Sequence, residues 1–463
     1  MQRRNPIIAA AIAFAILGTA AFGLRTYLDR PAPPPEGPWN VILLLADTLR
    51  ADRMSVYGYD RATTPALEAR SNGATVFERA RSQTACTPTS VASLLTSRYP
   101  AELLSWSSKS FAIPESMQTL PEALQAAGLR TIAVSASEIV RKTPSNINRT
   151  GGFGRGFDVF DDESCTRQNA RCLHQRAMKH LKETTGPFFL YLHYMDVHHP
   201  YLPPRHHTRK FTAGDDKGLP VWLRSGDPDP IIRLHRGRPP GQRDVSLDQL
   251  PFLSDRYDEE ILYLDGEIER LLRSLDGRGL LRKSIVILAS DHGEMFLEQD
   301  ELNHCLGVWD TVTRTPLMVW IPGLTGGRRV DIAVENLDVM PTVLDYAGLP
   351  TDALEGESLR PLLEGTSNDP RLAFSSQGVR RSVDDGRFKL IFDLQNGASR
   401  LYDLHADPFE RSDASSTHPD ENRRLQDGLH AWMAGHGETT GDADAIERSR
   451  SVEKRLQSLG YLQ

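Results

Sequence analysis

Four segments of this 463-residue chain carry side chains that could hold a cation or attack an ester. "VILLLAD" ends at Asp47, "IVILASDHGE" carries Asp291 and His292, and "FLYLHYMDVHHPY" carries His193, Asp196, His198 and His199. Carboxylates and imidazoles are the oxygen and nitrogen donors that divalent cations take. The fourth segment, "ACTPTSVASLLTS" (85–97), opens with Cys86, Thr87, Thr89 and Ser90. It reads as the first turn of a helix, whose free N–H groups and partial positive charge suit a phosphate or sulfate group. A hydroxyl there, beside a divalent cation, could lose its proton and attack. Each segment alone has a plainer reading: an Asp at a strand end caps the next helix, and Thr or Ser caps the helix it opens. Residue types alone leave the attacking group open among Cys86, Thr87, Thr89 and Ser90.

The elements that must position these groups are apolar runs alternating with helical patterns. "WNVILLLAD" (39–47), "TIAVSAS" (131–137), "PFFLYLHY" (187–194), "SIVILAS" (284–290) and "PLMVWIPG" (316–323) read as buried strands. "SMQTLPEALQAAGL" (116–129) reads as a helix, and so does 257–275, with Ile261, Leu264, Ile268, Leu271 and Leu275 on one face. Strands buried on both faces and interleaved with helices imply an α/β fold with a mainly parallel central sheet flanked by helices. In such sheets sites form beyond the carboxyl ends of the strands, so three strands could deliver Asp, Asp-His and His to one crevice. After about 370 the pattern changes to short strands joined by turns, with a helix at 418–434, which predicts a smaller C-terminal antiparallel sheet subdomain. Residues 205–252 lack periodicity and are rich in Pro, Gly and charge, as in a long surface insertion near a site.

The chain is 25% charged and 39% hydrophobic with a formal net charge of −7, an ordinary globular balance that gives no basic face for nucleic acid. The N-terminus departs from it. "MQRRNP" is basic and "IIAAAIAFAILGTAAFGL" (7–24) is uncharged and apolar, so residues 1–29 read as a signal-anchor or signal peptide with Arg3 and Arg4 held inside. "RPAPPPEGP" (30–38) is a Pro-rich linker. Export makes disulfides permissible, and "CTRQNARC" (165–172) could close a small loop.

From residue 39 onward the chain resembles the sulfatase family of the alkaline-phosphatase-like superfamily. The resemblance rests on "NVILLLADTLRADRMSVYGYDRATTPALEARSNGATVFERARSQ", on "SDHGEMFLEQ" followed by "HCLGVWDTVTRTPLMVWIPG", and on "ENLDVMPTVLDYAGLP", "GESLRPLLEG", "LYDLHADPFERSD" and the terminal "RLQSLGYLQ". The family signature is Cys-x-Pro-Ser-Arg ahead of Leu-Leu-Thr, with the Cys matured to formylglycine. Two family spacings, seven residues before the Leu-Leu pair and ten after the strand Phe, both point to Thr87 when counted from Leu94 and Phe77. They put Cys86 one position early. The chain is then similar to a branch with Thr at the nucleophile position; Cys86 stands where that branch has Trp, and Val91 stands where the signature has Arg.

The resemblance implies Asp47, Asp291, His292 and Thr87 as metal ligands, with Thr48 where many sulfatases have a second Asp. It implies His198 and His304 as groups that bind substrate and act on the transferring group. His193 and His199 read as structural. Histidine in the set favours one zinc or manganese ion, with calcium as the alternative. The expectation is a metal-dependent hydrolase of sulfate or phosphate esters using Thr87, in residues 39–370, with residues 371–463 as the C-terminal α+β subdomain. The substrate would be a small-molecule, glycan or lipid ester. The enzyme would sit in the cell envelope, anchored in the inner membrane by its N-terminal helix with its catalytic domain in the periplasm, or be secreted if the signal is cleaved. Three alternatives stand beside it: a formylglycine sulfatase using Cys86, a phosphoethanolamine- or phosphoglycerol-type transferase, and an idle envelope binding protein.

Overall fold

The computed structural model describes residues 39–103, 112–145, 148–165, 169–212, 250–324 and 327–436. The apolar terminus, the Pro-rich linker, most of the 205–252 insertion and the terminal "RLQSLGYLQ" lie outside them. Among the described residues no helix is long and apolar enough to cross a membrane.

The strands run β1 (Asn40–Ala46), β2 (Thr75–Arg81), β3 (Arg130–Ser135), β4 (Val159–Asp161), β5 (Phe188–Tyr194), β6 (Ser284–Ser290), β7 (Met295–Phe296), β8 (Leu302–Asn303), β9 (Arg314–Trp320), β10 (Arg328–Glu335), β11 (Ala373–Gln377), β12 (Arg380–Asp384), β13 (Phe388–Asp393) and β14 (Ser399–Asp403). The helices are α1 (Pro65–Ser71), α2 (Thr87–Thr96), α3 (Leu120–Ala126), α4 (Ala170–Lys182), α5 (Leu250–Asp276), α6 (Asp310–Thr313), α7 (Val339–Tyr346), α8 (Arg360–Glu364) and α9 (Pro419–Gly435).

The central sheet has the order β10-β2-β9-β6-β1-β5-β3-β4. Strands β4, β3, β5, β1 and β6 pair in parallel, β9 runs against both of its neighbours, and β2 and β10 pair in parallel beyond it. The mainly parallel α/β architecture expected from the sequence is therefore present, with β9 reversed. Strands β1, β5 and β6 are buried at every position, as strands covered on both faces must be. Alternate residues of β1 feed two cores. Val41, Leu43 and Leu45 pack with Leu94 and Leu95 of α2 on one face. Ile42, Leu44 and Ala46 pack on the other with Ile261, Leu264, Ile268, Leu271 and Leu275 of α5, the stripe read from the sequence. Helix α5 is described from Leu250, ahead of the 257–275 span that its apolar period indicates.

The register sets up the site. Leu45 stands level with His193 and Ala289, and Ala46 with Tyr194 and Ser290. Asp47, the segment after β5 and Asp291 therefore leave the sheet at one edge. Because β9 is reversed, its incoming segment, with His304, arrives at the same edge. The smaller antiparallel sheet β11-β12-β13-β14 carries α9 on one face, where Leu425, Leu429, Trp432 and Met433 meet Val383, Leu390 and Leu401.

Candidate active site

Helix α2 begins at Thr87 with Cys86 as its N-cap residue and Pro88 in its first turn, where a missing N–H costs nothing. All ten of its residues are buried. Thr87 Oγ1 lies 3.0 Å from His292 Nε2 and 3.4 Å from Asp47 Oδ2. Ser90 Oγ instead donates to the Asp291 carbonyl at 2.6 Å and pairs with Ser82 Oγ at 2.9 Å, so it ties the helix to the β6 end. Cys86 forms a disulfide with Cys305, with Cα atoms 4.7 Å apart. Cys165 and Cys172 form the small loop considered from the sequence.

Asp47, Asp291 and His292 are fully buried. Asp291 Oδ1 accepts the N–H groups of Thr48 at 3.1 Å and His292 at 2.8 Å. His292 Nδ1 donates to the Gly293 carbonyl at 2.9 Å, which turns Nε2 toward Thr87, Asp47 Oδ1 at 3.9 Å and Asp291 Oδ2 at 3.5 Å. Asp47 Oδ1 and Asp291 Oδ2 are buried without a hydrogen-bond partner among the described residues. Burying such atoms is costly unless something positive meets them. A divalent cation fits that demand, and Asp47, His193 and Asp291 offer ligand atoms within 4.8 Å of one another.

Thr48 has φ 59, and its hydroxyl donates to the carbonyls of Asp47 at 2.7 Å and Val197 at 3.0 Å. It contributes a main-chain N–H to Asp291 and points its side chain at the backbone. His193 and His199, read from the sequence as structural, both stand among converging donor groups. His193 Nε2 lies 3.3 Å from Asp47 Oδ2 and its Nδ1 pairs with Tyr191 Oη at 2.9 Å. His199 joins His198 and His304 in a second group of converging nitrogens. His198 Nδ1 donates to the His199 carbonyl at 2.7 Å, and His304 Nδ1 pairs with Glu294 Oε1 at 3.0 Å. The His304 ring centroid lies 4.6 Å from that of His292 and 5.1 Å from that of His198.

The electrostatics follow from this crowding. Burial works to raise the Asp47 carboxyl, but the hydrogen bond from His193 and the charges of His198 and His292 hold it well below the usual carboxylate range. Burial and the charge on Asp47 push Asp291 up to about 6. Burial would lower His292, yet Asp291 and Asp47 outweigh it and raise the imidazole. Burial and the neighbouring His292 bring His304 down to about 3, so its ring is neutral near pH 7. Burial lifts Glu294 to about 8 against the lowering pull of His292.

The structure thus brings together Asp47, Thr87, Asp291 and His292, with His198 and His304 beside them. Sequence reasoning passed over Glu294, visible only as the last letter of "SDHGE", and the partnership of Cys305, whose signal was its place next to His304.

A mainly parallel α/β sheet with a hydroxyl at a helix start facing two strand-end carboxylates defines the alkaline-phosphatase-like class. Comparison with known proteins agrees. The Sulfatase family model matches residues 39–349, and a second model, described as N-sulphoglucosamine sulphohydrolase, C-terminal, matches residues 307–435. The chain belongs to the sulfatase family. Arylsulfatase K of Danio rerio is 25% identical over 296 residues, 57% of this chain and 56% of the relative. Choline-sulfatase of Rhizobium meliloti (strain 1021) is 27% identical over 270 residues, 54% of this chain and 50% of the relative. The chain spans about half the length of these curated relatives. Among solved structures, the phosphonate monoester hydrolase of Agrobacterium radiobacter superposes with a TM-score of 0.68 at 20% identity, covering 86% of this chain and 96% of that one. A protein solved with its substrate D-glucosamine-2-N,6-O-disulfate gives 0.68 at 19% identity, covering 89% of this chain and 100% of that one. These structures share the fold.

Proposed function

We propose that this chain is a metal-dependent hydrolase that cleaves sulfate or phosphate esters with Thr87 as its nucleophile. The observation that carries the reading is the placement of Thr87 Oγ1, 3.0 Å from His292 Nε2 and 3.4 Å from Asp47 Oδ2, while the neighbouring Cys86 is occupied in a disulfide. A thiol held that way is not open to conversion to formylglycine, which disfavours the Cys86 alternative. Relatives named for sulfate esters, and a fold neighbour named for phosphonate monoesters, support the substrate class.

Asp47, Asp291, His292 and Thr87, with His193 in addition, would hold one divalent cation; imidazoles in the set favour zinc or manganese. When bound, that cation supplies the positive charge that lowers the hydroxyl pKa and polarises a non-bridging ester oxygen. The chain's own groups do the rest. The first-turn N–H groups of α2, those of Thr87 and Thr89 but not Pro88, would donate to the ester oxygens. Thr87 Oγ1 attacks phosphorus or sulfur in line, the bond to the leaving oxygen breaks, and a Thr87 ester forms. His198 and His304, the latter as a neutral ring, line the space for the equatorial oxygens; the Thr87 proton leaves to solvent and the leaving oxygen takes a proton from water. Water, or in a transferase a second alcohol, then opens the Thr87 ester. A threonine sulfate lacks the elimination route open to a formylglycine hydrate and must be cleaved by direct attack, which favours phosphoesters. We place the enzyme in the cell envelope on the basic-then-apolar pattern of residues 1–24.

The test is peptide mass spectrometry after brief exposure to aryl phosphate and aryl sulfate esters. A phosphoryl or sulfuryl group on Thr87, absent from Thr87→Val, is the expected result. Formylglycine at position 86, or turnover undiminished in Thr87→Val, would overturn it.

A further inference from the structure

The segment that delivers His304 is held in an uncommon backbone conformation. Asn303 has φ 85 and Cys305 has φ 67, both left-handed, and His304 lies between them. Non-glycine residues in that region are strained and persist only where the surroundings enforce it. The strongest tie on this segment is the Cys86–Cys305 disulfide, which fixes the residue after His304 to the residue before Thr87. A hydrogen bond from the Cys305 N–H to the Ala85 carbonyl at 2.8 Å runs beside it. Both cysteines are about 1% exposed. Two groups from segments 217 positions apart in sequence (304 minus 87) are thereby tied through adjacent residues.

We infer that the Cys86–Cys305 disulfide is a positioning element that holds His304 in register with Thr87, so that the oxidation state of this pair sets the turnover rate. The inference rests on the proposed roles of Thr87 and His304. Reduction by a dithiol transfers two electrons and two protons to the pair, giving two thiols while the reagent closes to its cyclic disulfide. The strained 303–305 segment is then free to relax, carrying the imidazole away. Displacement of a reacting group by about 1 Å costs on the order of 10²-fold in rate.

The experiment uses the full chain purified under oxidising conditions. Peptide mapping without reductant should first recover Cys86 linked to Cys305. The variant Cys86→Ala/Cys305→Ala, and the wild type reduced with dithiothreitol and checked by alkylation, should both lose on the order of 10²-fold in kcat. KM for the aryl ester that labels Thr87 should change by less than about threefold. Cys165→Ala/Cys172→Ala should keep its kcat. Should the double variant fail to fold, the reduced wild type, assayed well below its unfolding temperature, decides alone. Unchanged kcat in the folded, reduced protein, an equal loss in the Cys165/Cys172 control, or a map with Cys86 free overturns the inference. A wild type that never labels Thr87 refutes the proposed nucleophile instead, which keeps the two failures apart.

Discussion

Replacing Arg81 with Met should be the most damaging single change outside the crevice, and its cost can be worked from the charges it leaves behind. Arg81 ends β2 with its guanidinium 1% exposed, 2.5 Å from Asp310 Oδ1 and 2.5 Å from Asp384 Oδ2. Nearby, Lys389 Nζ lies 2.8 Å from Glu410 Oε1 and 3.7 Å from Asp310 Oδ1. Two cations face three carboxylates, and the cluster joins the central sheet, the start of α6 and the second sheet. The charges of Asp310, Asp384 and Glu410 are the larger part of the attraction, with a hydrogen bond to Asp384 after them. Burial works to raise Asp310, but Arg81 first and Lys389 next hold it below its ordinary value. Removing one partner of a buried pair costs about 3–5 kcal/mol, because the other charge stays behind. Arg81→Met should lose about that much in denaturant unfolding at pH 7. The loss should depend on pH. In the wild type, Asp310 contributes stability that is present above its unfolded pKa and disappears as pH falls through its lower folded value. In the variant, burial acts on Asp310 without the Arg81 charge and its carboxyl rises, so the native state holds a proton that the unfolded chain has released. Its stability then falls as pH rises above about 4. The gap between the two proteins should therefore be narrow near pH 4 and widest near pH 7. Arg81→Met/Asp384→Leu, which removes one orphaned carboxylate, should recover part of the loss. A cost below about 1 kcal/mol, or a gap that does not change with pH, would refute this reading of the cluster.

Three further outcomes are expected. Gly293→Ala should weaken zinc binding and cost about 1–3 kcal/mol or more, because a Cβ there would meet the Thr311 carbonyl oxygen at 2.1 Å and push the Asp291–His292 turn; zinc titration with denaturant unfolding checks it. Glu335 accepts from the Tyr99 hydroxyl at 2.8 Å and the Phe374 N–H at 2.9 Å, and burial with Asp338 lifts it to about 8 from 4.5. Its contribution to stability is present below the unfolded value and lost as pH rises through about 8, so Glu335→Gln should show a flatter stability profile between pH 4.5 and 8 than the wild type, and parallel profiles would contradict it. Chelation should lower the unfolding midpoint, because Asp47 and Asp291 are left facing each other in the interior; adding zinc at about 100 times its Kd should return about 2.7 kcal/mol, read by calorimetry.

Much of the fold was legible because the inner strands of the central sheet are continuous apolar runs. β1, β3, β5, β6 and β9 each show in the sequence, whereas β2 ("TVFERAR") and β10 ("RRVDIAVE") do not. Those two alternate charge with apolar residues near one end of the sheet, and only their pairing with β9 and each other makes them strands. The reversal of β9 is invisible in its residues, since direction is set by the connections. At the site, Asp47, Asp291 and His292 stand at strand ends, where position alone suggests a role. His193 lies inside a strand, where a buried imidazole reads as core, and only the register that sets it level with Leu45 carries it to Asp47. The Cys86–Cys305 pairing, beyond the place of Cys305 next to His304, and the Arg81 cluster have no local signature, because both join segments more than 200 positions apart.

The exchange of donors at this site has a chemical direction. Where many sulfatases have a second Asp, Thr48 turns its hydroxyl to two main-chain carbonyls, leaving Asp47 and Asp291 as the carboxylates of the cluster. His193 and His292 face the same space. Two carboxylates and two imidazoles carry a charge near −2, which a divalent cation would bring to about zero, and nitrogen supplies two of the five proposed donors once Thr87 is counted. Calcium prefers six to eight oxygen donors, whereas zinc accepts four mixed ligands. A near-neutral loaded site also repels a doubly charged phosphate monoester less than a carboxylate-rich one would. Returning the carboxylate by Thr48→Asp would not rebuild a calcium site. At φ 59 the new side chain would face the Asp47 and Val197 carbonyls, acceptors against acceptors, and lose the hydrogen bonds that Thr48 makes. Such a variant should lose about 1–3 kcal/mol of stability and gain no calcium affinity by isothermal titration. A gain in calcium affinity would mean that the Thr48 side chain reaches the cation after all.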